Sequence, residues 1–337
     1  MELIGYYNNQ INDSMTSHLK QFFHHWRDVM PLSDEHLVKQ IRSDGVDILI
    51  DLSGHSSLNR LPAFAHKPAP VQASWIGYPG TTGLTAVDYF FCDRHYLPAE
   101  SFARQFTEKL VYLPGTSPVQ PYGNAPPVNE LPALSNGHLT FGSFNRLGKI
   151  STATVELWAA LMLAVPDAKL IVGGIRTDRP DDNPLSERLL AAGVALERVR
   201  YYLRSDMDAY LGLHHQVDLC LDTFPYTGGT TTYHAMWMGV PTLSLAGPTP
   251  AGRQGPALPL QLGLERIVSA SREEYLANGV YWSAHIAELA AIRAGSRALW
   301  RASPVGNPDV IAASLVRALR HMWTRWCAGQ PPESFDA

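Results

Sequence analysis

Hydrophobic and polar positions follow one another along this chain in blocks that predict helices and strands in turn. Residues 33–42 predict a helix with Ser33 as its N-cap. The nearly continuous apolar run from Val46 to Leu52 predicts a buried parallel strand directly after that helix. A second short strand is predicted from Val71 to Ile76. The first third of the chain therefore reads as helix, strand, loop, strand and loop.

The alternation becomes regular in the second half of the chain. Strands are predicted in LTFGSF, AKLIVGG, VRYYL, VDLCLD and VPTLSL, and the helices between them over residues 152–165 (amphipathic), 183–192, 206–215 and up to 235. Such strand–helix alternation is typical of a doubly wound parallel sheet. Residues from 271 onward are predicted to be helical, with Trp300 and Trp323 in the core.

A change of composition separates the two halves. Six prolines lie between positions 114 and 132, which excludes a regular helix or a central strand there. We therefore predict an N-terminal lobe over residues 1–113, a proline-rich linker over 114–136, a C-terminal lobe over 137–270 and C-terminal helices over 271–337. A chain of 337 residues is also longer than one hydrophobic core usually serves, which favours two units.

Charge and cysteine content narrow the possible partners and the compartment. The formal net charge is −4 and the basic residues are scattered, which argues against a nucleic-acid surface. Cys92, Cys220 and Cys327 are far apart and odd in number, as expected of free thiols. No apolar run approaches the roughly 20 residues that cross a bilayer, and the first residues do not look like a signal peptide. We expect a cytoplasmic protein without membrane or nucleic-acid partners.

The segment LDTFPYTGGTTTYHAMWMG, residues 221–239, is the leading candidate for a ligand site. It begins where the strand VDLCLD ends, and ligands of open α/β sheets bind at such carboxyl ends. Gly228 and Gly229 allow a close backbone approach, and Thr230 and Thr231 bring hydroxyl and amide groups to a helix N-terminus. A diphosphate would fit there. A plain turn with an N-cap would have a similar sequence.

Two other loops and one histidine are weaker candidates. FGSFNRLGKIST places Lys149 between a strand and a helix, where its ammonium group either meets a phosphate or is simply solvated. WIGYPGTTG, with Gly77, Tyr78 and Pro79, is either a cleft loop or a structural turn. His55 follows a strand directly and either exchanges a proton with a ligand or hydrogen-bonds its own loop.

No metal site is predicted. His214 and His215 are neighbours on different helical faces, and HHxxD matches no zinc spacing. Asp206 and Asp208 have the spacing of a DxD motif, but they lie at a predicted helix start, where carboxylates commonly interact with the helix dipole.

Taken together and in this order, the loops resemble the catalytic region of the SPINDLY-like protein O-GlcNAc transferases. The resemblance covers effectively the whole chain and is carried by DGVDILIDLSGHSSLNRL, KPAPVQASWIGYPGTTGLTAVDY, FGSFNRLGKIST and VDLCLDTFPYTGGTTTYHAMWMGVPTLSLAG. It implies an α/β fold of GT-B type, with two Rossmann-like lobes, parallel sheets, and a sugar nucleotide bound mainly by the 137–270 lobe. It also implies inverting, metal-independent transfer of N-acetylglucosamine from UDP-GlcNAc to Ser or Thr hydroxyls of a protein acceptor, without a cofactor.

The resemblance assigns roles residue by residue. Lys149 matches the lysine that holds the diphosphate and stabilises the departing UDP, and we add His55 as a second catalytic candidate from its place after a strand. The substrate-binding candidates are Arg60, Gly77, Tyr78, Pro79, Arg146, Tyr210, Gly228, Gly229, Thr230, Thr231 and His234.

Three positions depart from the family pattern. His234 stands where the family has a carboxylate on the ribose, Tyr210 replaces a histidine near the uracil, and Gly229 replaces a histidine of the animal members. A different sugar nucleotide is therefore one alternative. The first residues of this chain correspond to a point in the family sequence that follows the tetratricopeptide repeats and the first strand or two of the N-terminal lobe. We therefore expect an incomplete N-terminal lobe. A catalytically impaired fragment that only binds a sugar nucleotide is the other alternative.

Overall fold

The structure is a computed structural model that describes residues 1–116, 119–177, 179 and 183–337. The chain divides into two compact units. The first unit combines Met1–Cys92, Ala99–Leu113 and Ala313–Ala337, and the second combines Asp93–Pro98 and Pro114–Ala312.

Strands and helices alternate along most of the chain. The strands are β1 (Ile4–Tyr7), β2 (His25–Asp28), β3 (Ile48–Asp51), β4 (Val71–Ser74), β5 (Tyr89–Cys92), β6 (Lys109–Tyr112), β7 (Thr140–Ser143), β8 (Lys169–Ile175), β9 (Val199–Leu203), β10 (Leu219–Leu221), β11 (Thr242–Leu245), β12 (Val268–Ser269) and β13 (Phe335–Asp336). The helices are α1 (Ser14–Lys20), α2 (Asp34–Ser43), α3 (Leu61–Ala65), α4 (Ala99–Phe102), α5 (Ala133–Asn136), α6 (Thr152–Ala164), α7 (Pro184–Ala191), α8 (Met207–Leu213), α9 (Thr230–Trp237), α10 (Gln254–Gln261), α11 (Arg272–Ala284), α12 (Ile286–Ala302) and α13 (Pro308–Cys327).

Each unit is built on parallel strands. In the first unit, β1 and β2 pair with each other, and a five-stranded sheet has the order β13-β6-β5-β4-β3. In the second unit, a six-stranded sheet has the order β12-β11-β10-β7-β8-β9. The predicted fold class, α/β of GT-B type with parallel sheets and helices at the C-terminus, is confirmed.

The order of the second sheet contains a switch point. From β7 the chain adds β8 and then β9 on one side, and then returns to add β10, β11 and β12 on the other. β7 and β10 are therefore neighbouring strands from which the chain continues toward opposite sides of the sheet. In open α/β sheets this is where a crevice for a ligand forms.

The core of the second unit is centred on helix α6. Trp158 and Leu161 of this helix have no exposed surface and pack among the apolar side chains of the sheet and of α11. Gly279 lets α11 come close, because a Cβ at that position would lie 2.4 Å from Cδ1 of Leu161. The sequence predicts an amphipathic helix here, but α6 is buried on more than one face because the sheet and α11 both cover it.

Several local predictions are confirmed. The Oγ atom of Ser33 accepts a hydrogen bond of 3.3 Å from the amide of His36 and caps α2 as expected. The strands and helices predicted for residues 137–245 are all present, most with shifts of a few residues. Cys92 and Cys220 are buried, Cys327 is exposed, and these three cysteines form no disulfide with one another.

Other predictions need correction. The apolar runs 46–52 and 71–76 end as strands at Asp51 and Ser74, because Leu52 and Ile76 already belong to exposed loops. The linker region contains the short helix α5 after its last proline, and its residues 117–118 lie outside the described part of the chain. Residues 271–337 contain the expected helices α11, α12 and α13, but they do not form a unit of their own and do not end as helix: Ala318, Leu319 and Met322 of α13 pack on the first sheet, and β13 joins its edge.

No helix in the described ranges is both long and apolar enough to cross a membrane.

We predict that Trp158→Ala lowers the free energy of unfolding by about 3–5 kcal/mol, because it removes a fully buried indole. Leu163→Ala on the same helix is the control, since Leu163 is 55% exposed and its removal should cost within about 0.5 kcal/mol. Urea unfolding measures both. A loss below about 1 kcal/mol for Trp158→Ala would contradict this view of the core.

Candidate active site

A buried carboxylate organises the loop after β10. Oδ1 of Asp222 accepts hydrogen bonds from the amides of Thr223 at 2.8 Å and Gly228 at 2.6 Å, and Oδ2 accepts one from the hydroxyl of Ser244 at 2.8 Å. Asp222 is 3% exposed, and burial raises the pKa of its carboxyl, although these hydrogen bonds and the charge of Lys149 act against the increase. The carboxylate thus folds the loop of residues 223–228 back onto the end of its own strand.

Lys149 reaches the same loop from the other side of the switch point. It ends a short 3₁₀ turn, Leu147–Lys149, that follows β7. Its Nζ donates a 2.7 Å hydrogen bond to the carbonyl of Thr227 and lies 4.1 Å from the ring centre of Tyr226. Burial lowers the pKa of Lys149, while Asp222 acts in the opposite direction and Arg146 adds to the lowering. The ammonium group is held at the loop by a neutral carbonyl, and no carboxylate of the described residues forms an ion pair with it, so it can interact with an anion.

The loop continues into α9, whose first backbone amides have no partners within the helix. Thr230 is exposed at the first helical position. Thr231 is half-buried and donates from Oγ1 to Oδ1 of Asn145, at 3.0 Å. Amides at a helix N-terminus together with a neighbouring lysine form a site suited to phosphate groups.

The two glycines before α9 differ in their surroundings. A Cβ on Gly228 would lie 2.7 Å from Oγ1 of Thr232 and 2.8 Å from Oγ1 of Thr231, so this position has no room for a side chain. A Cβ on Gly229 would meet its nearest neighbour, Oε1 of Gln254, at 3.5 Å. A Cβ at position 229 would thus make only an ordinary van der Waals contact, whereas Gly228 is required by close packing.

An aromatic group adjoins this turn. The rings of Tyr210 and His234 meet edge to face with centroids 5.6 Å apart, and the Tyr210 hydroxyl lies 3.4 Å from Nδ1 of His234. The rings of Phe144 and of the fully buried His214 also pack edge to face on Tyr210, with centroids 5.7 and 5.2 Å away. Burial lowers the pKa of His234 and raises that of Tyr210, so both side chains are neutral at pH 7.

In the first unit, two loops that follow β3 and β4 are interlocked. Gly54 has a φ of +53°, and a Cβ on it would lie 2.4 Å from Cβ of Tyr78. A Cβ on Gly77 would lie 2.2 Å from the carbonyl oxygen of Leu52. The rings of His55 and Tyr78 meet edge to face, 5.3 Å apart. These glycines let the two loops touch and set His55, which is exposed, beside Tyr78.

Arg60 of the first unit contacts other residues of that same unit. Its Nε lies 2.9 Å from Oδ1 of Asp34, and its guanidinium donates to the carbonyl of Leu32 at 2.6 Å. These contacts hold the start of α2 against the loop before α3, and they leave a binding role for Arg60 as a prediction.

Comparison with known proteins decides the family. The sequence profile of glycosyl transferase family 41 matches residues 5–122 and 129–314. The chain belongs to glycosyl transferase family 41. This confirms the resemblance inferred from the four motifs.

The relatives of this family 41 chain include plant and bacterial proteins. It is 36% identical over 317 residues to the probable UDP-N-acetylglucosamine–peptide N-acetylglucosaminyltransferase SPINDLY of Arabidopsis thaliana, covering 91% of this chain and 34% of that protein. It is 29% identical to the Arabidopsis protein SEC. The chain thus spans about a third of the length of these curated relatives.

Two solved structures are informative at different levels. A mutant of the O-GlcNAc transferase from Thermobaculum terrenum superposes with a TM-score of 0.88 at 36% identity, over 97% of this chain and 62% of that one. Anabaena HepE in complex with UDP and glucose superposes with a TM-score of 0.53 at 12% identity, over 92% of this chain and 90% of that one, which supports the fold alone.

The structure brings the sequence-predicted residues of the family 41 chain into two groups. In the second unit it brings together Arg146, Lys149, Tyr210, Gly228, Gly229, Thr230, Thr231 and His234. In the first unit it brings together His55, Gly77, Tyr78 and Pro79, with Arg60 engaged separately. Their roles in binding and catalysis stay predictions.

Sequence reasoning missed three residues that shape the site. Asp222 accepts a hydrogen bond from the amide of Gly228 in the turn before α9. Asn145 accepts one from the hydroxyl of Thr231, and the ring of Tyr226 lies under the ammonium group of Lys149. An aspartate that directly follows an apolar strand is a visible signal for Asp222. Asn145 and Tyr226 carry no signal of their own. Within the described ranges, no group of three or more His, Cys, Asp or Glu is placed to hold a metal ion.

We predict that Gly255→Ala destabilises the second unit by about 1–3 kcal/mol, because its Cβ would lie 2.0 Å from Oδ2 of Asp222. Gly295→Ala is the matched control: it is also a helical glycine, nothing lies within 4 Å of its Cβ, and alanine should add up to about 1 kcal/mol. Thermal unfolding measures both variants. Equal effects of the two substitutions would show that Asp222 is not tightly packed.

Proposed function

We propose that this chain carries the donor site and the catalytic lysine of a protein O-GlcNAc transferase. In this proposal it transfers N-acetylglucosamine from UDP-GlcNAc to Ser or Thr hydroxyls of proteins. The observation that carries the proposal is the position of Lys149, whose ammonium group lies on the Thr227 carbonyl beside the amides that begin α9. The names of the relatives support the donor and the kind of acceptor.

The proposed reaction is a single displacement. The acceptor hydroxyl oxygen attacks C1 of the sugar from the face opposite the phosphate, the bond from C1 to the phosphate oxygen breaks, and UDP leaves with the electron pair. This inverts the configuration at C1. The hydroxyl proton passes to a base, for which exposed His55 is our candidate.

Negative charge grows on the leaving diphosphate, so the groups that stabilise it lower the barrier. Lys149 and the amides of Thr230 and Thr231 supply positive charge and donors at this point. In this proposal they do what a divalent cation does in other glycosyltransferases, and transfer needs no metal ion. Arg146 is exposed and close enough to Lys149 to affect its pKa, so it adds to the same positive region.

His234 favours a second candidate function, in which the donor is another sugar nucleotide. A carboxylate at this position would accept hydrogen bonds from two ribose hydroxyls, whereas a neutral imidazole next to Tyr210 accepts only one. Turnover measured with a panel of UDP-, GDP- and dTDP-sugars decides between the donors. Donor binding without single-turnover transfer would identify instead a module that only binds the nucleotide.

We predict that Lys149→Ala lowers kcat by about 100- to 1,000-fold, because it removes the charge that stabilises the leaving group. The far-UV circular dichroism and Tm should stay close to those of the parent, since the lysine fills no core position. Lys39→Ala removes an exposed lysine of α2 and serves as the control. Unchanged transfer by Lys149→Ala would contradict the assignment.

We also predict a pH dependence of UDP binding that comes from Lys149. Burial holds its pKa below the usual value in the free protein, and a bound diphosphate favours the charged form. The affinity for UDP should therefore be highest below the pKa that Lys149 has in the free protein, and it should fall as the pH rises through that pKa. The terminal phosphate of UDP ionises at about pH 6, which itself changes binding. The decrease in UDP affinity that comes from Lys149 is therefore measured above that pH.

Calorimetric titration of Lys149→Arg provides the comparison, because arginine stays charged throughout this range. Its affinity should not show the decrease at high pH. The same decrease in both proteins would rule out Lys149 as its source.

A further inference from the structure

The beginning of helix α10 packs against the same loop that Lys149 contacts. The amide of Gly255 donates a 3.0 Å hydrogen bond to Oγ1 of Thr227, and the amide of Thr227 donates one of 3.1 Å to the carbonyl of Ala251. A Cβ on Gly255 would lie 2.0 Å from Oδ2 of Asp222, so α10 is as close to the loop as its backbone allows. The first residue of α10 is therefore fixed relative to the turn before α9.

That first residue is Gln254, and its side chain reaches the turn. Its Oε1 and Cδ would lie 3.5 and 3.8 Å from a Cβ on Gly229. Gly228 is buried, Gly229 is half-buried and Thr230 is exposed, so the turn opens to the surface at Gly229. Gln254 is half-buried as well. Its amide group thus lies where the turn opens, next to the first free amides of α9.

The chemistry of this amide group suits the phosphate end of a sugar nucleotide. A glutamine side chain has two N–H donors and one carbonyl acceptor, and rotation about its last bond presents either end to a neighbour. The N–H groups match phosphate oxygens, and the carbonyl matches a sugar hydroxyl. The side chain of Gln254 makes no hydrogen bond to another residue in the described part of the chain, so both ends are available to a ligand.

We propose that Gln254 is a further donor-binding residue, whose side-chain amide donates a hydrogen bond to the diphosphate of the sugar nucleotide beside Gly229. This inference rests on the proposed function, in which Lys149 and the amides of Thr230 and Thr231 hold the same diphosphate. Because Gly229 has no side chain, the group that contacts the ligand on this side of the turn comes from α10 instead. Gln254 binds the donor and takes no part in proton transfer or bond cleavage.

Gln254→Glu tests this role through effects on binding and on stability that have opposite signs. The added carboxylate repels the diphosphate, so the Kd for UDP should rise about tenfold or more. The same carboxylate lies in the first turn of α10, where it interacts favourably with the helix dipole, so Tm should stay unchanged or rise. Gln254→Ala should raise the Kd by about three- to tenfold, because one hydrogen bond is lost. Calorimetric titration measures the Kd, and thermal unfolding measures Tm.

Gln216→Glu is the matched control, because it adds the same charge to an exposed glutamine of the second unit. Gln216 lies before β10, at the edge of the sheet opposite to the loop that leaves this strand. The Kd of this variant for UDP should equal that of the parent.

An unchanged Kd in both Gln254 variants would overturn the inference, and a lower Tm in the same variants would then identify a packing role alone. An equal increase of the Kd in Gln216→Glu would overturn it too, because the effect would then come from net charge. If the parent binds UDP and Lys149→Ala loses transfer, either result leaves the proposed function standing. A parent chain that binds no UDP contradicts the proposed function and this inference together.

Discussion

The candidate site depends on one buried carboxylate. Asp222 directly follows β10, and it accepts hydrogen bonds from Thr223, Gly228 and Ser244. Its backbone carbonyl also accepts a 3.0 Å hydrogen bond from Nε1 of Trp158, the central residue of the core. The turn that presents the amides of α9 is thereby attached directly to the most buried part of the unit, so its geometry is set before any ligand arrives.

The order of the strands explains why Lys149 is near this turn. β7 and β10 are neighbours in the sheet but are separated by two strands and their helices in the chain. The loops that follow them therefore begin side by side at the switch point, where Nζ of Lys149 donates to the carbonyl of Thr227. The alternation of apolar blocks was sufficient to predict the parallel sheet, and the ends of the strands were sufficient to predict that the loops after β7 and β10 lie near each other.

The remaining features could not be predicted because they depend on contacts between residues far apart in sequence. Ser244 lies 22 residues from Asp222, and Asn145 lies 86 residues from Thr231. The return of α13 and β13 to the first sheet joins Leu110 to Ser334 across 224 residues. Leu52 and Ile76 look like strand residues because they are apolar, yet they lie in two loops that interlock, a contact that Gly54 and Gly77 permit. Local patterns contain no information about such pairs.

A crystal structure of this chain with UDP-GlcNAc is the most direct measurement of the central claim. We expect a diphosphate on the backbone amides of Thr230 and Thr231, with Nζ of Lys149 within hydrogen-bond distance of a phosphate oxygen. We also expect Asp222 to keep its hydrogen bonds to the turn. A nucleotide bound elsewhere, or a diphosphate that does not contact Lys149, would contradict the claim.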